Sequence, residues 1–201
     1  MKQNLYDPLV YSVKVGCMKF RLRTGFYRVL QCYQVLSDSS LYDYEKLDLC
    51  LFILIRNRAA LRFLSQKRRV ELYEAVFKNF VDTGAQKTDG PRTFDFEQDA
   101  AYIYAGFWQC YGIDLFGKDR ELHWWKFVQL FGGLSDDTRI MQIISIRARP
   151  IPMPTKYNAE ERRNLARLKA LYRIKYTQEE QEEQYAKGLR SMVLMLEGLA
   201  K

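Results

Sequence analysis

Residues 95–149 read DFEQDAAYIYAGFWQCYGIDLFGKDRELHWWKFVQLFGGLSDDTRIMQIISIRAR, and their spacing decides the fold. A helix is expected around Asp95–Tyr111, closed by Gly112. After the link IDLFGKD, a second helix carries Leu122, Trp125, Phe127 and Leu130 and ends at Gly132-Gly133. Ser135 can cap a third, with Ile140, Ile143, Ile144 and Ile146 apolar. Asp95, Glu97 and Asp99 fall where carboxylates favour the helix macrodipole by ~0.3–1 kcal/mol each, and Asp136 and Asp137 repeat the pattern. With no histidine partner or glycine-centred calcium loop beside them, these acids read as caps rather than a metal site.

Upstream, the same helical period begins at Gly25, with Phe26, Val29, Leu30, Tyr33 and Leu36 on one face. Ser40 with Asp43 can cap a helix through Ile55. Ser65 can cap another, with Val70, Tyr73, Val76, Phe77 and Phe80 on one side and Gly84 at its end. Residues 84–92 (GAQKTDGPR) read as an exposed loop. Before Gly25 the period is two: Tyr11–Val15 and Met18–Leu22 alternate around Gly16-Cys17, which suits a type II′ hairpin.

Downstream, Pro150, Pro152 and Pro154 break helix and force extended backbone. Two capping boxes follow, Asn158 with Glu161 and Thr177 with Glu180. The expected fold is therefore all-α, mainly helical, with roughly eight helices and a small N-terminal β-hairpin. Residues 1–150 form a helical core domain with the hairpin, and residues 151–201 a proline-linked C-terminal helical arm.

Composition narrows the function classes. Of 201 residues, 48% are hydrophobic and 28% charged, which fits a globular chain and excludes a mainly disordered one. The longest apolar run, Leu49–Ile55, falls far short of the ~20 residues a bilayer needs. The N-terminus lacks a signal-peptide pattern, so the expected location is the cytoplasm. Cys17, Cys32, Cys50 and Cys110 show no CxxC spacing and are expected reduced and mostly buried. His123 is the sole histidine and reads as a packed or capping residue rather than a base or ligand. GxSxG, a glycine-rich phosphate loop with GKS or GKT, and HExxH are all missing, so no enzyme activity, cofactor or metal is expected.

The net charge of +8 permits anion binding without requiring it. Arg56–Arg69 holds six basic and no acidic residues, and Lys156–Lys175 holds seven basic and two acidic. In the latter, Leu165, Leu168 and Leu171 thread between the charges, as in an amphipathic helix with a solvated basic face. Nucleic acid is thus a weaker candidate partner than protein.

Several strings here are distinctive: Tyr102–Ala105 (YIYA), Tyr111–Leu115 (YGIDL), Leu122–Phe127 (LHWWKF) and the glycine-leucine-acidic-threonine run within Gly133–Arg147. They resemble the bacteriophage gene-product-fifteen family. Gly106 departs from that pattern, as does the long segment after Pro154. The resemblance implies a tail-assembly chaperone of a phage or prophage. Its partner would be the tape-measure protein, possible companions would be other tail-assembly proteins, and homo-oligomers are expected. It implies no catalytic residue, action in the bacterial host cytoplasm, and absence from the mature virion. The alternatives are a structural tail component retained in the virion and a basic nucleic-acid-binding regulator.

Two sets of residues follow from the spacing. Trp124 and Trp125 are expected to be structural, and the series Leu122, Trp125, Leu130 makes Trp125 the more buried. Tyr185, Leu189, Met192, Leu196 and Leu199 mark an apolar stripe opposite Glu179, Glu182, Glu183 and Lys187. The stripe is either core against its own domain or a partner-binding surface, with methionines suited to adaptable contact.

Overall fold

The computed structural model of the protein describes residues 5–83 and 92–176. Ser12–Val15 (β1) and Met18–Arg21 (β2) pair antiparallel, with Val13 opposite Phe20 and Val15 opposite Met18. Gly16 takes φ +57° while Cys17 stays at negative φ, the sign pattern of a II′ turn. Val13, Val15, Phe20 and Leu22 are buried on one face. A lone hairpin is marginal in water, and this one lies against helix α3 (Gln66–Val76).

The chain beyond β2 stays extended long enough to pair again. Leu22 bridges Ile55, Arg23 N–H donates to the Leu54 carbonyl at 2.7 Å, and Arg56 N–H donates to the Arg21 carbonyl at 2.9 Å. Helix α1 (Phe26–Ser37) then buries Phe26, Val29 and Cys32 against α2 (Asp43–Leu54), which buries Cys50, Leu51 and Leu54. Cys32 and Cys50 sit back to back, each sulfur 3.9 Å from the other's carbonyl oxygen. The neighbouring Cys50 thiol, as a hydrogen-bond partner, and then burial push the Cys32 thiol far up. Cys110 is half-buried and Cys17 is exposed in the hairpin turn, so only two of the four thiols lie in the core.

The cap of α2 differs from the expectation. Ser40 donates through its amide and hydroxyl to Asp38, at 2.9 and 2.6 Å, and Glu45 instead accepts from the Tyr42 N–H at 3.0 Å. The box is shifted by two residues because Asp38 captures Ser40 first. After α2 a 3₁₀ turn (Arg58–Phe63) leads to α3, whose N-cap position is Ser65. The inward face of α3 is Leu72 and Val76, continued by Phe80 in a π-turn (Phe77–Val81); Val70 is exposed.

Residues 96–99 form turns rather than helix, and α4 runs Ala100–Tyr111, ended by Gly112 at φ +62°. Gly106 faces inward, where a Cβ would stand 3.2 Å from Ile140 Cγ2 and 3.3 Å from Leu134 Cδ1. A side chain at this position would force the neighbours apart. Helix α5 is Trp124–Gly132 and α6 is Arg139–Ala148. Thr138, not Ser135, supplies the first helical carbonyl of α6, accepting from Gln142 N–H at 3.1 Å.

Phe127 is the centre of the aromatic core. Phe26 stacks on it at 4.5 Å with planes 7° apart, and Phe107 at 5.0 Å and 9°. Trp124 lies 5.9 Å away and donates its indole N–H to the Val81 carbonyl at 2.9 Å. Trp124 is buried and Trp125 half-buried, which reverses the expected order. The physical reason is that Leu122 precedes the helix: its N–H closes a turn onto the Asp119 carbonyl and its own carbonyl accepts from Phe26, so it does not share the α5 wheel. The true inward set is Trp124 and Phe127, three residues apart.

By contact density the described residues divide into two units, one of residues up to 92 with 99–142, the other of residues 93–98 with those from 143 on. Within the second, α7 (Ala159–Leu171) buries Leu165, while Leu168 and Leu171 are exposed. Arg147 donates to the Tyr172 and Thr93 carbonyls at 2.6 and 3.0 Å, and Lys169 donates to the Arg147 carbonyl at 2.7 Å. The Gln98 side-chain amide pairs both ways with the Lys175 backbone, at 2.7 and 2.8 Å. Asn158 does not cap α7 with its side chain; it accepts from Thr155 N–H and donates to the Met153 carbonyl, both at 2.8 Å, bracing the proline segment. The Thr177–Glu180 box lies outside the described residues.

The reversed tryptophans make a direct test. Trp124→Ala should cost ~3–5 kcal/mol in urea denaturation, as buried aromatic truncations do, and Trp125→Ala clearly less. Equal losses would contradict the burial order.

Candidate protein-interaction surface

His123 occupies the N-cap position of α5. Its Nδ1 accepts from the Trp125 N–H at 3.2 Å and its Nε2 faces the Val10 carbonyl at 3.1 Å, which fixes a neutral imidazole protonated at Nε2. Tyr11 and Phe80 meet the ring edge-on. Burial, aided by the charge of Lys126, lowers the pKa, while the bond to Val10 opposes the shift. A shallow cleft beside it is lined by Leu9, Val10, Asn79, Phe80, Asp82, Thr83 and Trp125. Both ring nitrogens hold backbone, leaving neither for proton transfer to a bound molecule.

Around the same histidine the LHWWKF string joins the start of α1. Gly25 bridges His123, Phe26 N–H donates to the Leu122 carbonyl at 2.9 Å, and Trp124 N–H donates to the Thr24 carbonyl at 2.8 Å. The string is thus a structural clasp. Within it Trp124 is buried and Trp125 half-buried. Tyr185, Leu189, Met192, Leu196 and Leu199 lie outside the described residues.

The surface that remains open is aromatic. On α4, Tyr104 and Trp108 stack with ring centres 6.5 Å apart, and Phe116 from the following loop meets Tyr104 at 5.4 Å. Trp108 is 55% and Phe116 71% exposed. The loop holds Phe116 in place: the Asp114 carboxylate accepts from the Phe116 and Gly117 amides at 3.1 and 3.0 Å. Asp119 accepts from the Asp114 amide at 3.0 Å. A side chain at Gly117 would overlap the Asp114 carboxylate. Single exposed apolar residues are ordinary, whereas a contiguous, preordered aromatic patch is a candidate contact surface. Tryptophan in particular anchors protein interfaces. The signal was in the sequence: α4 is apolar on every side, yet one helix face can bury only Ile103, Gly106 and Phe107.

Among the described residues no helix is long and apolar enough to cross a membrane, and no three His, Cys, Asp or Glu side chains converge as metal ligands. The class is thus a mainly helical protein with an N-terminal hairpin and an exposed aromatic face. The family model described as Bacteriophage Gp15 protein matches residues 5–174, and the chain belongs to that family. No curated protein and no solved structure matches it.

The buried histidine carries a pH signature. Its folded pKa lies below the ordinary value of 6.5, so the unfolded chain takes up the proton first as pH falls. The contribution is complete above about pH 6.5 and is lost as pH drops toward the folded pKa. His123→Asn keeps a capping oxygen without the titration. Thermal melts between about pH 7.5 and 5 should show a smaller Tm decline for His123→Asn than for the parent. Parallel declines would show that His123 is not linked to folding.

Proposed function

We propose that this phage protein is a non-enzymatic tail-assembly chaperone that holds the tape-measure protein soluble in the host cytoplasm until the tail tube forms. Membership of the Gp15 family supports a phage role, and the preordered Tyr104–Trp108–Phe116 face carries the binding part of the reading. A tape-measure protein is long and helical with apolar stripes. A rigid aromatic patch suits such a stripe, because each ring buries large area while losing little rotamer entropy. A chaperone leaves the finished particle, so it is absent from the virion.

Co-expression with the tape-measure protein of the same phage tests this. The parent chain should keep that protein soluble and copurify with it, and mass spectrometry of purified virions should not find the chain. Trp108→Asp with Phe116→Asp should abolish capture while leaving Tm within a few degrees, since both side chains are already solvated. A tape measure equally soluble without the chain, or stoichiometric chain in virions, would overturn the reading in favour of a retained tail component.

A further inference from the structure

Extended pairing after β2 brings together two basic stretches that are distant in sequence. Leu22 and Ile55 face inward across their bridge, and the flanking Arg21, Arg23 and Arg56 leave it on the other side. Arg58 joins them, its guanidinium 3.6 Å over the Phe52 ring and its Nε donating to the Phe52 carbonyl at 2.9 Å. Arg28 and Arg120 stand 4.6 and 4.7 Å from the centre of the Tyr27 ring, whose hydroxyl donates to Glu121 at 2.7 Å. Burial, then the charges of Arg58 and Arg28, hold Arg23 below its ordinary pKa; Tyr27 opposes the shift and Arg56 adds a little to it. Among the described residues none of Arg21, Arg23, Arg28, Arg56 and Arg58 has a carboxylate oxygen within 4.0 Å, and Glu121 stands at the edge of the group.

The chain also carries a matching run of opposite sign. Residues 178–184 read QEEQEEQ, four glutamates in seven residues of a protein with a net charge of +8. We propose that the surface formed by Arg21, Arg23, Arg28, Arg56 and Arg58 is a self-association site that receives the acidic run Glu179–Glu183 of a second copy of the chain. Guanidinium forks match carboxylates two bonds at a time, and an aromatic ring beneath, as at Arg58, preorganises the fork. Nucleic acid fits less well. The Phe52 and Tyr27 rings already carry guanidiniums, which compete with bases for those ring faces. The inference stands apart from the aromatic face on α4.

Sedimentation velocity on the full chain tests it. The parent should associate, more weakly as ionic strength rises from about 0.05 to 0.5 M. Arg23→Glu with Arg56→Glu should weaken association at least about tenfold, and so should lysine at positions 179, 180, 182 and 183. Mixing the two variants should restore it, which no unfolding artefact can do; Arg23→Gln with Arg56→Gln should weaken it with Tm unchanged. A parent chain monomeric at every concentration would overturn the proposal, as would reversals without effect or a mixture that stays dissociated. A single-stranded RNA oligonucleotide that displaces the second copy at equal concentration would overturn it in favour of a nucleic-acid surface.

Discussion

Phe127 sits between Phe26 and Phe107, and most of the first unit is organised around that stack. Three helices, α1, α4 and α5, each contribute one ring, and the rings meet nearly parallel. The stack can form only because residues 122–124 run antiparallel to residues 24–26, closing a loop of about a hundred residues with backbone hydrogen bonds. His123 completes the arrangement by capping α5 through one nitrogen and reaching Val10 through the other. Trp124 then reaches Val81, so the same short string touches the N-terminal strand region, the start of α1 and the end of the π-turn.

Much of this was legible from residue type and spacing. The II′ hairpin followed from Gly16 between alternating runs, and α1, α5 and the glycine stop at Gly112 followed from three- and four-residue periodicity. What failed were the features decided by competition over short distances. Asp38 takes Ser40 from its expected capping role, Asn158 turns back to the proline segment, and Leu122 leaves the helical wheel because its backbone is paired elsewhere. None of these is a property of the residue alone. Each depends on a partner that only the folded chain supplies.

The surface features show the same division. The all-round apolar character of α4 implied that some of its rings must be exposed, but which ones depends on where Leu134 and Ile140 press against Gly106. The basic stretch from Arg56 was visible, whereas its union with Arg21, Arg23 and Arg28 required the bridge between Leu22 and Ile55. The two surfaces differ in chemistry, one aromatic and held by an Asx turn, the other cationic and braced by rings.

The central claim is that the Phe26–Phe127–Phe107 stack couples elements far apart in sequence. A double-mutant cycle on Phe26→Leu and Phe127→Leu, read by urea denaturation of the full chain, measures that coupling with little change in volume. The account predicts a pairwise interaction of about 0.5–1.5 kcal/mol beyond the two separate losses. Strictly additive losses would contradict it, and would mean that the rings fill space without holding α1 to α5.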